Sequence, residues 1–191
     1  MEFKKLYKRK LPGFSLIEVS IVLLIIGIIA GATLKGKDII DSARLKSVAN
    51  DIQIFQIAYN SYISSYGALP GDDKKASTRF SGVEDGDGNG KFNESDAGKV
   101  FTHLYRAGLI ESETFKIPKT GGKYETISEG GTLKLKLSDS GTAFLSNKQI
   151  ISLIAKCKEI FGSTEDIIET EPAQITESSS TKYLLKVKIS Q

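Results

Sequence analysis

From Phe14 to Leu34 the chain is almost wholly apolar, and from Lys35 onward polar side chains return at helical intervals. Val19–Leu34 is a run of sixteen residues without a charge, and Phe14–Ile17 extends its apolar surface backwards. About 20 residues at roughly 1.5 Å each match a hydrocarbon core of ~30 Å, so residues 14–34 are predicted to form a membrane-crossing helix. After Lys35-Gly36-Lys37, the positions Leu45, Val48, Ile52, Phe55, Tyr59, Tyr62 and Tyr66 step by threes and fours. That is one apolar stripe on an amphipathic helix. Asp38 or Asp41 stands early in this stem, while Gly67 and then Pro70 end it. The pattern predicts a helix over 14–66, a membrane half at 14–34 and a stem at 38–66. Two helices hinged at Gly36 satisfy the same pattern.

Beyond residue 67 the chain becomes polar and punctuated by glycine. Val100, Phe101, Leu104 and Ala107 predict a short amphipathic helix starting near Ala97 and closed by Gly108. TLKLKL (132–137) and YLLKVKI (183–189) alternate as half-buried strands. Between them Ser146-x-x-Gln149 is a capping-box pattern. It opens a helix whose buried stripe is Ile150, Leu153, Ile154, Cys157, Ile160 and Phe161. Residues 169–182 read as a polar loop. The sum is an α+β chain: a long N-terminal helix packed on a small globular head (67–191) of short antiparallel strands and helices.

Charge sharpens this division. The formal net charge is +3, yet residues 1–13 hold Lys4, Lys5, Lys8, Arg9 and Lys10 against Glu2 alone. The basic pI therefore belongs to the leader, and the body lacks the basic face that a nucleic-acid-binding domain carries. A single cysteine, Cys157, excludes an intramolecular disulfide, and a single histidine, His103, excludes any site built on two imidazoles.

A basic leader before an apolar run fits a secretory signal, a membrane anchor, or both. Ala30-Gly31-Ala32 offers an A-x-A cleavage pattern that would start a mature chain at Thr33. Against it stand Glu18, out of place in a disposable apolar core, and helical periodicity that continues past the cut. Gly27-Ile-Ile-Ala-Gly31 is also a GxxxG spacing, which permits close helix approach in lipid.

A third reading rests on Leu11-Pro12-Gly13 followed by Phe14-Ser15-Leu16-Ile17-Glu18. This segment resembles the class III signal of type IV prepilins and type II secretion pseudopilins. The resemblance implies that a prepilin peptidase cuts after Gly13 on the cytoplasmic side and methylates Phe14. It implies a single-pass subunit of the inner membrane, its N-terminus cytoplasmic and its head outside. Such subunits then polymerise with homologous ones into a pilus or secretion pseudopilus. It also implies that the Glu18 carboxylate meets the N-terminal amine of a neighbouring subunit.

The segment DGDGNGKFNESD (85–96) matches the calcium-loop pattern D-x-D-x-N-G-x₅-acid. Ca²⁺ takes six to eight oxygens, so side chains at alternate loop positions converge while glycine allows the sharp turn. The expected ligands are Asp85, Asp87 and Asn89, the Lys91 carbonyl, Asn93 directly or through water, and Asp96. Aspartate closing the loop makes it resemble dockerin-type calcium loops more than paired EF-hands, and no second copy is present. A metal-free Asp/Gly/Asn turn is the plain alternative. Leu69-Pro70-Gly71-Asp72 upstream and Asp87-Gly88-Asn89-Gly90 are similar to a broader group of bacterial pilin-like proteins, a likeness that fades after about Ile110.

No catalytic constellation emerges, so an enzyme is not expected. Cys157 falls on an apolar helix face, His103 lies between Phe101 and Leu104, and the tyrosines at 59, 62 and 66 read as packing. The expected function is structural: a prepilin-like subunit that polymerises. The alternative is a calcium-dependent binding module or adhesin, carried as a minor subunit at a fibre tip.

Overall fold

The computed structural model describes residues 13–115, 118, 120–138, 145–162, 168–171 and 182–189. Residues 1–12, which hold the basic leader, lie outside the described residues, as do 172–181 of the polar segment. The chain divides into two compact units, Met1–Ile40 and Asp41–Gln191. The first helix, α1 (Leu16–Tyr66), contributes to both.

In the first unit, the apolar side chains of α1 have no protein cover: Leu16, Ile17, Val22, Leu24, Ile26 and Ile29 are all exposed. This is the one helix among the described residues long and apolar enough to cross a membrane. A helix apolar on every side belongs in lipid or in an assembly, because water gives it no face to solvate.

In the second unit the helical stripe is buried as the spacing requires. Leu45, Val48, Ile52, Phe55, Tyr59 and Tyr62 are all at most 3% exposed. They pack against α3 (Glu94–Arg106) and a five-stranded sheet. Phe55 meets Phe101 and Phe115 edge-on, with ring centroids 5.6 and 5.5 Å apart. The Tyr124 hydroxyl donates to Asp51 at 3.1 Å, so the buried carboxylate on the stem is hydrogen-bonded.

The sheet comprises β1 (Lys123–Glu129), β2 (Thr132–Ser138), β3 (Leu145–Ser146), β4 (Ile168–Glu171) and β5 (Lys182–Lys188), all antiparallel. Its order is β1-β2-β5-β3, and β4 also pairs with β5. Leu133, Leu135 and Leu137 of β2 point into the core, as strict alternation demands. On the opposite face Lys134 and Lys186 both donate to Glu129, and those bonds hold the Glu129 carboxyl below its usual range. β1, β3 and β4 are additions to the expected elements, and β4 turns residues 169–171 of the expected polar loop into a strand paired with β5. Gly130 and Gly131, at φ 60° and 80°, turn the chain tightly so that Glu129 faces Thr132.

Two further helices complete the unit. The short α2 (Ala76–Arg79) was not expected. The longer α4 (Asn147–Phe161) starts at the reciprocal Ser146–Gln149 box and buries Ile150, Leu153 and Cys157. Cys157 is a core thiol: burial pushes it up to about 11, leaving it un-ionised at neutral pH. The α+β architecture read from the pattern is the one found.

Candidate functional site

Two regions carry the residues singled out by the sequence, one in each unit. At the start of α1, Gly13 and Phe14 precede the first helical turn, and Phe14 is 88% exposed. The helix is opened by Ser15 and Glu18. The Ser15 backbone N–H donates to Glu18 Oε2 at 2.7 Å, and the Ile17 N–H approaches Ser15 Oγ at 3.4 Å. This is a capping arrangement of the S-x-x-E type, in which the third helical residue reaches back to the cap. The S-x-x-E spacing of Ser15 and Glu18 is the sequence signal for this cap. The Glu18 carboxylate serves its own helix N-terminus, where four backbone N–H groups lack partners and negative charge is favoured.

The second region is the aspartate loop, built where three segments meet. The first is the turn Leu69–Asp73, the second the loop Glu84–Asn93, the third the N-terminus of α3. Asn93 and Asp96 cap α3 reciprocally: the Asp96 N–H donates to Asn93 Oδ1 at 2.9 Å and the Asn93 N–H to Asp96 Oδ2 at 3.3 Å. The helix therefore starts at Glu94, a little before its expected start. Asp87 Oδ1 accepts the Asn89 N–H at 3.0 Å, and Asn89 Oδ1 accepts the Lys91 N–H at 2.7 Å. Asn93 Nδ2 also reaches Asp87 Oδ2 at 3.3 Å.

Asp85, expected to open the loop's ligand set, is engaged elsewhere. Both its oxygens accept from Ser77, the backbone N–H at 2.7 Å and the hydroxyl at 2.9 Å. Those bonds hold its carboxyl below the usual range and tie it to the first turn of α2. In the place left beside Asp87 and Asp96 stands Asp72, 3% exposed and absent from the expected set. Asp72 Oδ1 accepts the Gly88 N–H at 2.7 Å, and Oδ2 the Gly90 N–H at 2.8 Å. Burial pushes the Asp72 carboxyl up; the Gly90 amide bond opposes that shift, and neighbouring Asp87 adds to it. One oxygen from each of Asp72, Asp87 and Asp96 lies within 4.8 Å of the others.

Spacing along the loop could not place Asp72, which is distant in sequence; its signal was the Leu69-Pro70-Gly71-Asp72 motif. Close contact explains the meeting. A Cβ on Gly86 would lie 2.3 Å from the Asp72 carbonyl carbon, so loop and turn touch backbone to backbone. His103, 0% exposed, bridges the two: it accepts the Gly71 N–H on Nδ1 at 2.9 Å, and Nε2 stands 2.9 Å from the Glu84 carbonyl. The histidine has a partner at each ring nitrogen.

The family of the prokaryotic N-terminal methylation motif matches residues 9–34, the stretch that contains Gly13, Phe14 and Glu18. The chain carries a type IV pilin-like N-terminal segment. No curated protein matches the chain. Among solved structures, the major type IV pilin PilA1 from Clostridium difficile is similar at 19% identity and a TM-score of 0.45. That alignment covers 80% of this chain and 98% of the pilin. The likeness is loose, and the pilin-like assignment rests on the N-terminal segment.

Proposed function

We propose that this pilin-like structural subunit is cut by a prepilin peptidase between Gly13 and Phe14, methylated on Phe14, and polymerised with homologous subunits. The product is a type IV pilus or a type II secretion fibre. The observation that carries the reading is the methylation motif over residues 9–34, which falls on an exposed, non-helical Gly13-Phe14 junction. A protease needs an extended backbone at the scissile bond, and the cap at Ser15 keeps the helix from reaching it. Before assembly the apolar half of α1 anchors the chain in the inner membrane. The basic leader keeps the N-terminus cytoplasmic and the head outside. Mass spectrometry of the protein from its native membrane should give an N-methylated Phe14 as the first residue. A mature start at Thr33 would instead support an ordinary secretory signal.

In the head, Asp72, Asp87 and Asp96 are offered as the holders of a Ca²⁺ ion. The donor set fits: all three are hard oxygen ligands, and two ligands facing each other across Ca²⁺ stand about 5 Å apart at bonds of 2.3–2.6 Å, near the 4.8 Å limit found. Of the other loop positions, Asn89, Asn93 and the Lys91 carbonyl remain close in sequence to this group, while Asp85 serves Ser77. The ion would supply only charge compensation, tying an acidic loop to its turn. Ca²⁺ at 100 times its dissociation constant adds about 2.7 kcal/mol to the folded state. The full chain in detergent should therefore melt at a higher temperature in calcium than in chelator. Coincident curves would leave the segment a plain turn. A calcium-dependent adhesin at a fibre tip remains the alternative use of the same head.

A further inference from the structure

His103 is buried, hydrogen-bonded at both ring nitrogens and unused by the proposed processing or assembly. We propose that it is the positioning residue of the aspartate site: from α3 it keys the turn that carries Asp72 and the loop that carries Asp87 into one register with Asp96. The inference rests on the calcium reading above for its functional consequence.

The geometry runs through the backbone. His103 and Asp96 lie seven residues, or two turns, apart on the same face of α3, so one rigid element carries both. His103 Nδ1 accepts the N–H of Gly71, the residue directly before Asp72. A ring nitrogen that accepts holds no proton, so the neutral ring carries its proton on Nε2 and donates it to the Glu84 carbonyl. Glu84 leads into the loop three residues before Asp87. One turn back on α3, Lys99 Nζ donates to the Asp85 carbonyl at 2.9 Å, a second grip on the same strand of loop.

The histidine is matched to this task by its chemistry. It offers an acceptor at one end and a donor at the other, held apart by a rigid ring. A hydrophobic replacement leaves a buried amide and a buried carbonyl without partners. The segments it joins have no slack to absorb that change. A Cβ on Gly71 would stand 2.3 Å from the Asp96 carbonyl oxygen, and the Gly86 N–H donates to the Asp73 carbonyl at 2.9 Å. A shift of the turn therefore moves Asp72 relative to both other carboxylates.

A histidine that served packing alone would lower the melting temperature when replaced, yet leave calcium affinity unchanged. The test is a calcium titration of the full chain in detergent, by calorimetry, alongside hydrogen exchange over residues 69–73 and 84–90. His103→Leu fills the space without either bond, and it should weaken calcium binding by about tenfold or more, the usual cost of losing an outer support of a metal site. His103→Asn keeps an acceptor toward Gly71 and His103→Gln a donor toward Glu84, so each should fall between. Wild-type affinity in a folded His103→Leu would overturn the inference. Where His103→Leu does not fold, the two amide variants decide, since affinities equal to wild type would refute it and weakened ones uphold it. If the wild-type chain binds no calcium, the calcium reading fails, and exchange then decides the rest. Faster exchange of the Gly71 segment in the variants upholds the keying, and unchanged exchange overturns it.

Discussion

Gly71 and Gly90 both hold positive φ, 92° and 79°, yet their surroundings differ. A side chain at Gly90 would meet nothing within 4 Å, whereas one at Gly71 would lie 2.3 Å from the Asp96 carbonyl oxygen and 2.9 Å from Val100 Cγ2. The first position asks only for a backbone conformation that L-residues resist. The second also needs the absence of a Cβ, because the turn rests on the first turns of α3. Gly90→Ala should cost about 1 kcal/mol, the penalty for alanine at positive φ. Gly71→Ala should cost about 3 kcal/mol or more, since strain adds to a backbone clash. Thermal melts of the two variants give the comparison. Equal costs would mean that the turn and α3 are less tightly joined than these distances state.

At the scale of elements, legibility followed the length of the repeating pattern. The stripe from Leu45 to Tyr66 gave the stem, and the buried set Leu45, Val48, Ile52, Phe55, Tyr59 and Tyr62 is that stripe less its last member, which is half-buried. β2 and β5 alternate cleanly, and α4 announced itself through Ser146 and Gln149. β1 was not read because KYETISE has few apolar residues, with Tyr124 alone fully buried. Its signal was Gly130-Gly131 ahead of a strong strand, a hairpin cue that pattern counting passes over. α2 is four residues, held by its own backbone bonds and by Asp73 and Asp85, and is too short for any period. The same limit explains Asp72. Loop spacing finds ligands that are neighbours in sequence, but a carboxylate delivered by a distant turn depends on packing. Here that packing runs through His103, whose role lay in its hydrogen bonds and not in its position among Phe101 and Leu104.

At the scale of the whole molecule, Glu18 poses the choice between a local and an assembly role. Its carboxylate accepts the Ser15 N–H, and glutamine caps a helix in the same way. The helix N-terminus favours a negative charge by only about 0.3–1 kcal/mol, so capping alone does not offset a charge that costs a few kcal/mol in hydrocarbon even on the gentler insertion scales. In the proposed fibre, cleavage before Phe14 creates an α-amino group that stays cationic when methylated. A carboxylate that meets this amine on a neighbour is offset, while one that meets none is penalised, so the charge selects a single stagger. The two roles separate cleanly in mutants. Glu18→Gln keeps the cap and loses the charge, and Glu18→Val loses both. On the pairing reading both variants insert in the membrane and reach the peptidase, and both yield few sheared fibres, glutamine no better than valine. Wild-type fibre levels in Glu18→Gln, with failure in Glu18→Val, would assign Glu18 to the helix cap and remove the need for a partner amine. A subunit that only caps the fibre would show a mild defect in both, because its place at the tip leaves one neighbour contact unmade.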